Sequence, residues 1–171
     1  MSTKKNVILA VLFSSLAGSA MVANAAPYAE VLLYGVITNS TCDVVANKGQ
    51  ATLNVGVFKT KEFAVDTQTA RTVALPVELT NCAGDEVGEL IIQGQASGNN
   101  ENLFVSKADN TVGFMIKGNA NQQVQVGKGV TVPVSKSGPN KYEFRVGMGS
   151  TTASPKTGNY SVPITVAYIV N

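Results

Sequence analysis

Asp85, Glu86 and Glu89 form the densest acidic cluster in the sequence. Three carboxylates this close could hold a hard cation, or two of them could divide general acid and general base between them. Their spacing does not match a calcium-binding loop, and no flanking residue would raise the pKa of one above the others. The cluster reads as a solvated turn. Gly127-Lys128-Gly129 and Gly147-Met148-Gly149 lack both the full glycine spacing and the strand-to-helix context of a phosphate cradle, so they read as turns or strand punctuation. The chain contains no histidine, which removes Ser-His-Asp and Cys-His nucleophilic systems together with the commonest zinc ligand. No catalytic residue, metal site or cofactor is expected.

The remaining reactive residues are Cys42 and Cys82, and their meaning depends on where the chain goes. Lys4 and Lys5 precede an apolar stretch over residues 7–12 that continues through Phe13, Leu16 and Met21, and Ala23-Asn24-Ala25 offers small residues at the positions a signal peptidase reads. This is the pattern of a secretory signal over residues 1–25, with Ala26 as the new N-terminus. Ser14, Ser15, Gly18 and Ser19 break the apolar run well short of the roughly 20 residues a membrane span needs. In an exported chain an even pair of cysteines reads first as a disulfide. Removing residues 1–25 takes two lysines and no acid, leaving eleven basic and eleven acidic side chains. A near-neutral chain has no basic stripe with which to bind nucleic acid, and its length suits one domain.

The elements that must position these residues are strands. Segments rich in Val, Ile, Thr and Tyr alternate with clusters of Gly, Asn, Ser and Asp, and no helical apolar stripe is sustained. Strands are expected over 29–39, 51–57, 72–79, 89–95, 111–117, 123–126, 130–134, 141–148 and 159–170, with 58–71 as a loop or one short helical turn. Tyr142, Phe144, Val146 and Met148 share one face of a strand and Lys141, Glu143 and Arg145 the other, so one face is buried and one wet. Eight or nine such strands suggest an all-β sandwich.

The strands nearest the two ends are long and alternating. Ala29, Val31, Leu33, Gly35 and Ile37 share one face, and Tyr160, Val162, Ile164, Val166, Tyr168 and Val170 share another. Periodicity alone allows both to be ordinary core strands of a closed sandwich. It also allows each to lay its apolar row into a groove while its backbone extends a ladder, as in β-strand addition.

From Val31, the run Val-Leu-Leu-Tyr-Gly-Val-Ile-Thr-Asn-Ser-Thr-Cys42 resembles the start of a chaperone-usher fimbrial subunit, in which an alternating segment with a central glycine leads to the first cysteine. Thr52-Leu53-Asn54-Val55-Gly56, Val77-Glu78-Leu79-Thr80-Asn81-Cys82 and Gly158-Asn159-Tyr160-Ser161 through Tyr168 resemble later strands of that family in the same order. The resemblance implies an immunoglobulin-like β-sandwich missing its final strand, formed by residues 39–171 and preceded by an N-terminal donor-strand extension over 26–38. It also implies a disulfide between Cys42 and Cys82. A periplasmic chaperone would fill the open groove first, and the extension of the next subunit would then replace it, delivered through an outer-membrane usher to a fimbria on the cell surface. The donor face would be Ala29, Val31, Leu33, Gly35 and Ile37, glycine allowing the backbone to approach a shallow stretch of groove. On the receiving side Tyr160, Val162, Ile164, Val166 and Tyr168 would line the groove or its core.

Three residues follow Tyr168 where that family usually has one, and Pro163 interrupts the last strand, where it cannot donate to a ladder. The alternative from another class is a self-contained secreted β-sandwich that binds a carbohydrate or small ligand. A lectin tip subunit would need a second domain for which the chain has no room. A host receptor could still meet an exposed loop such as 98–102.

Overall fold

Eleven residues of unbroken strand, Asn140–Ser150, form the spine of the protein. Phe144 and Val146 are buried on its inner face while Lys141, Glu143 and Arg145 are exposed on its outer face. The computed structural model describes residues 42–170. Within them lie nine strands, β1 (Asp43–Ala46), β2 (Val73–Thr80), β3 (Glu86–Gln93), β4 (Gln95–Ser97), β5 (Asn100–Val105), β6 (Val112–Lys117), β7 (Gly129–Val134), β8 (Asn140–Ser150) and β9 (Thr165–Ile169). One sheet has the order β1-β2-β8-β6-β5-β4 and the other β7-β3-β9. Every pairing between strands is antiparallel.

The sheets enclose one main core. Leu75, Val77 and Leu79 of β2 and Phe144 and Val146 of β8 meet Leu90 and Ile92 of β3, Val132 and Val134 of β7 and Tyr168 of β9. Near one end of that core Cys42 and Cys82 form a disulfide, joining the start of β1 to the turn after β2. Closing a loop with a sequence separation of 40 contributes about 4 kcal/mol by restricting the unfolded chain. Buried Asn140 braces the same end: its Nδ2 donates to the Ser135 carbonyl at 2.8 Å, and its Oδ1 accepts from the Ser135 N–H at 2.8 Å.

Beyond Val146, where β2 ends, the edge of β8 is taken over by the 66–69 segment. The Asp66 and Thr69 amides donate to the carbonyls of Ser150 and Met148, each at 2.8 Å, and the Met148 amide donates to Thr69 Oγ1 at 3.0 Å. This close crossing explains Gly147, and the packing of Met115 and Leu103 against β8 explains Gly149. A Cβ at Gly147 would lie 2.8 Å from Gln68 Cγ, and one at Gly149 would lie 2.5 Å from Met115 Sδ.

Several expected strands differ from the observed ones. Segment 51–57, where Gly56 takes a positive φ, and the first half of 159–170 are not strands, and 123–126 makes an isolated bridge at Gln123. A strand needs a laddered neighbour, and among the described residues these stretches have none. β1, β4 and β5 were not expected. β5 buries Leu103, Phe104 and Val105 in succession, so it shows no alternation to read. The 58–71 stretch is a loop containing one 3-10 turn, Thr60–Glu62, as expected. The donor residues Ala29, Val31, Leu33, Gly35 and Ile37, and the signal segment 1–25, lie outside the described residues.

Candidate functional site: an apolar groove

Two of the stretches that fail to form strands, 51–57 and 159–164, flank a groove of about 960 Å³. Leu75, Phe104, Ile116 and Val146, all members of the buried core, also line it, so the groove reaches into the middle of the sandwich. On one flank Leu53 and Val55 point toward the core while Thr52, Asn54 and Gly56 are exposed. On the other flank residues 155–164 and Val166 line the groove, with Tyr160, Val162, Ile164 and Val166 as its alternating row. Ile164 is 37% exposed and Val57, also on the lining, is 87% exposed.

Neither flank has a backbone ladder on its groove side among the described residues. The 51–57 flank, here called the rim, is instead held near its ends by side chains. At its start Asn47 Nδ2 donates to the carbonyls of Gln50 at 3.0 Å and Thr52 at 2.9 Å. Asn47, Lys48 and Gly49 reach this point through positive φ, a conformation that Asn and Gly tolerate. At the far end Arg71 Nη2 donates to the Val57 carbonyl at 2.5 Å. The Arg71 guanidinium also pairs with Glu62 and stacks over Phe58. The Lys59 backbone N–H, followed by Arg71, holds the Glu62 carboxyl below its ordinary pKa.

The chemistry available in this groove is apolar burial along an alternating row, together with backbone hydrogen bonding on two sides. A match to the family model described as "Fimbrial protein" covers residues 31–168. The chain belongs to the fimbrial protein family. This fimbrial protein is therefore a structural subunit of a pilus, not an enzyme, and it associates with other pilus subunits in a fibre on the cell surface. Its fold is similar to that in a structure of a chaperone-usher pilus, with 14% identity over 84% of this chain and 96% of that one and a TM-score of 0.58. It is equally similar to the P pilus rod subunit PapA, with 13% identity over 83% of this chain and 99% of that one and a TM-score of 0.58. No curated protein matches it in sequence.

The site residues expected from the sequence separate into groups in this fimbrial protein. Tyr160, Val162, Ile164 and Val166 come together along one wall of the groove. Tyr168 does not join them. It is only 1% exposed and belongs to the core, where its ring lies against Gly88: a Cβ there would sit 2.6 Å from Tyr168 Cζ. Burial, then the nearby charge of Glu86 and the Tyr142 hydroxyl, push the Tyr168 hydroxyl pKa up. The acidic cluster is structural at Asp85, whose Oδ1 accepts from the Lys136 amide at 2.7 Å and from Ser135 Oγ at 3.0 Å. The Lys136 amide, then Ser135, lower its pKa accordingly. Sequence reasoning missed the opposite rim residues Leu53 and Val55 as a groove wall, although their alternation was visible. It also missed the Arg71 contact, which nothing in the local pattern signals.

Proposed function

We propose that this fimbrial subunit polymerises by donor-strand exchange, its groove receiving the alternating row Ala29, Val31, Leu33, Gly35 and Ile37 from the N-terminal extension, residues 26–38, of the next copy. The chain is exported under the signal of residues 1–25, held in the periplasm by a chaperone that fills the groove, and handed to an outer-membrane usher for assembly. The pilin domain, residues 39–171, is thus an acceptor and the extension a donor.

The observation that carries this reading is the pair of alternating flanks without a ladder between them, over a floor of core residues. One added strand would bury an apolar row against Leu53, Val55, Val162, Ile164 and Val166 and bond to both flanks at once. A self-contained ligand-binding sandwich would leave those backbones without partners, and a polar ligand would meet few polar side chains on the floor.

The test is to add a peptide of residues 26–38 to the mature chain and follow amide hydrogen exchange. Protection should rise in 51–57 and 159–164, and a Leu33→Asp peptide should give none. Equal protection by both peptides, or no gain with either, rules the mechanism out.

A further inference from the structure

We propose that Arg71 is a positioning residue for the groove, holding the Val57 end of the unladdered rim in the place where an incoming strand pairs with it; the inference rests on the strand-acceptor reading above. Among the described residues the rim has no ladder, so its shape depends on Leu53 and Val55 packing inward, on Asn54 Oδ1 accepting from the Gly56 N–H at 2.9 Å, and on side-chain contacts near its ends. Arg71 supplies the contact at the Val57 end. One nitrogen, Nη2, donates both to the Val57 carbonyl at 2.5 Å and to Glu62 Oε2 at 2.9 Å, while Nε reaches the same Oε2 at 3.1 Å. Glu62 Oε1 accepts from the Lys59 amide at 2.7 Å, fixing the carboxylate that fixes the arginine. The guanidinium lies 4.5 Å from the centre of the Phe58 ring, which meets Phe63 edge-on at 6.3 Å. Both rings line the groove, so one cation sets the rim backbone and the aromatic surface where the rim ends.

The Arg71 side chain is 58% exposed, and an isolated exposed ion pair contributes little to folding. Its importance here lies elsewhere. The Val57 carbonyl belongs to the backbone that must be aligned before a strand can pair, and the fork of a guanidinium can hold that carbonyl, the carboxylate and the ring face together, whereas a lysine cannot. Once a strand has paired along 51–57, its ladder holds the rim and the arginine becomes redundant. The expected signature is therefore kinetic: Arg71 governs how fast the groove is filled and not how stable the filled domain is.

The test follows the rate at which the mature chain takes up a fluorescent peptide of residues 26–38, and then the melting temperature of the filled complex. Arg71→Lys should slow uptake about tenfold, as expected for losing a charge-assisted hydrogen bond that aligns the site, with the filled complex melting as the wild type does. Glu62→Gln should slow uptake by a smaller factor and carries the test if Arg71→Lys does not fold. Arg145→Lys, in the exposed Arg145–Glu143 pair of β8, should leave uptake unchanged. Wild-type uptake rates in both Arg71→Lys and Glu62→Gln overturn this inference alone. A fall in the melting of the filled complex in proportion to the slower uptake also overturns it, since that is the mark of a merely structural contact. Failure of the wild-type chain to take up any peptide removes the acceptor reading and this inference with it.

Discussion

The sandwich has edges of two kinds, one at β4 and β7 and the other along the groove. β7 carries Pro133, which has no N–H to offer, and β4 is only three residues long with a register shift between Ala96 and Ser97. Both are devices that keep an edge from pairing with another chain. The groove edges have little of this. β9 continues an alternating stretch from Tyr160, interrupted only by Pro163, and faces a seven-residue rim that has no ladder among the described residues. The same sequence thus blunts the edges where pairing would be aggregation and leaves open the ones where pairing is proposed to be assembly. An edge's fate is decided by its proline content, length and regularity more than by its overall hydrophobicity.

A charge on the open edge should erase the contrast most completely. Ile164→Asp would bury a carboxylate under any strand laid in the groove, and an unpaired buried charge costs several kcal/mol, so binding of the 26–38 peptide by calorimetry should fall below detection. Thr131→Asp on β7 should bind as the wild type does; equal loss in both variants would mean that the two edges are not different in kind. A smaller effect is expected where β9 is seated on β3. Gly88→Ala pushes a methyl group against the Tyr168 ring and the Ile169 carbonyl, which should lower stability to denaturant by about 1–3 kcal/mol, the usual cost of overpacking. Gly84→Ala, which meets nothing within 4 Å, is the matched control and should change little. Smallest in folding energy is the reverse experiment at the blunted edge. Pro133→Thr restores an N–H to β7 and should shift stability by no more than about 0.5 kcal/mol while raising self-association in sedimentation velocity. A strictly monomeric Pro133→Thr variant would show that proline is not what guards that edge.

Much of this arrangement is legible in the sequence, and the parts that are not share a cause. The alternation of β8 was readable because one of its faces is wet, and the apolar rows at 53–55 and 160–166 were readable for the same reason. Whether such a row becomes a strand was not readable, since pairing depends on a neighbour distant in the chain; 51–57 has strand-like composition and no ladder. β5 was hidden because both of its faces are buried at Leu103, Phe104 and Val105. The Arg71 contact joins residues 57, 62 and 71 across an irregular loop, where no period exists to bring them together on paper. Periodicity supplied the sandwich and the apolar rows, and the export signal with an even cysteine pair supplied the disulfide. The missing strand and the groove came from the family resemblance.

The two unladdered flanks also bear on how a fibre built this way would respond to load. A strand lying between them along its whole length, pulled along its own axis, cannot be peeled away one residue at a time. Every hydrogen bond on both sides, and every side chain seated over Leu75, Phe104, Ile116 and Val146, shares the force in shear and must fail together. The groove would then give the joint its mechanical strength from the length of contact, without any covalent link between subunits.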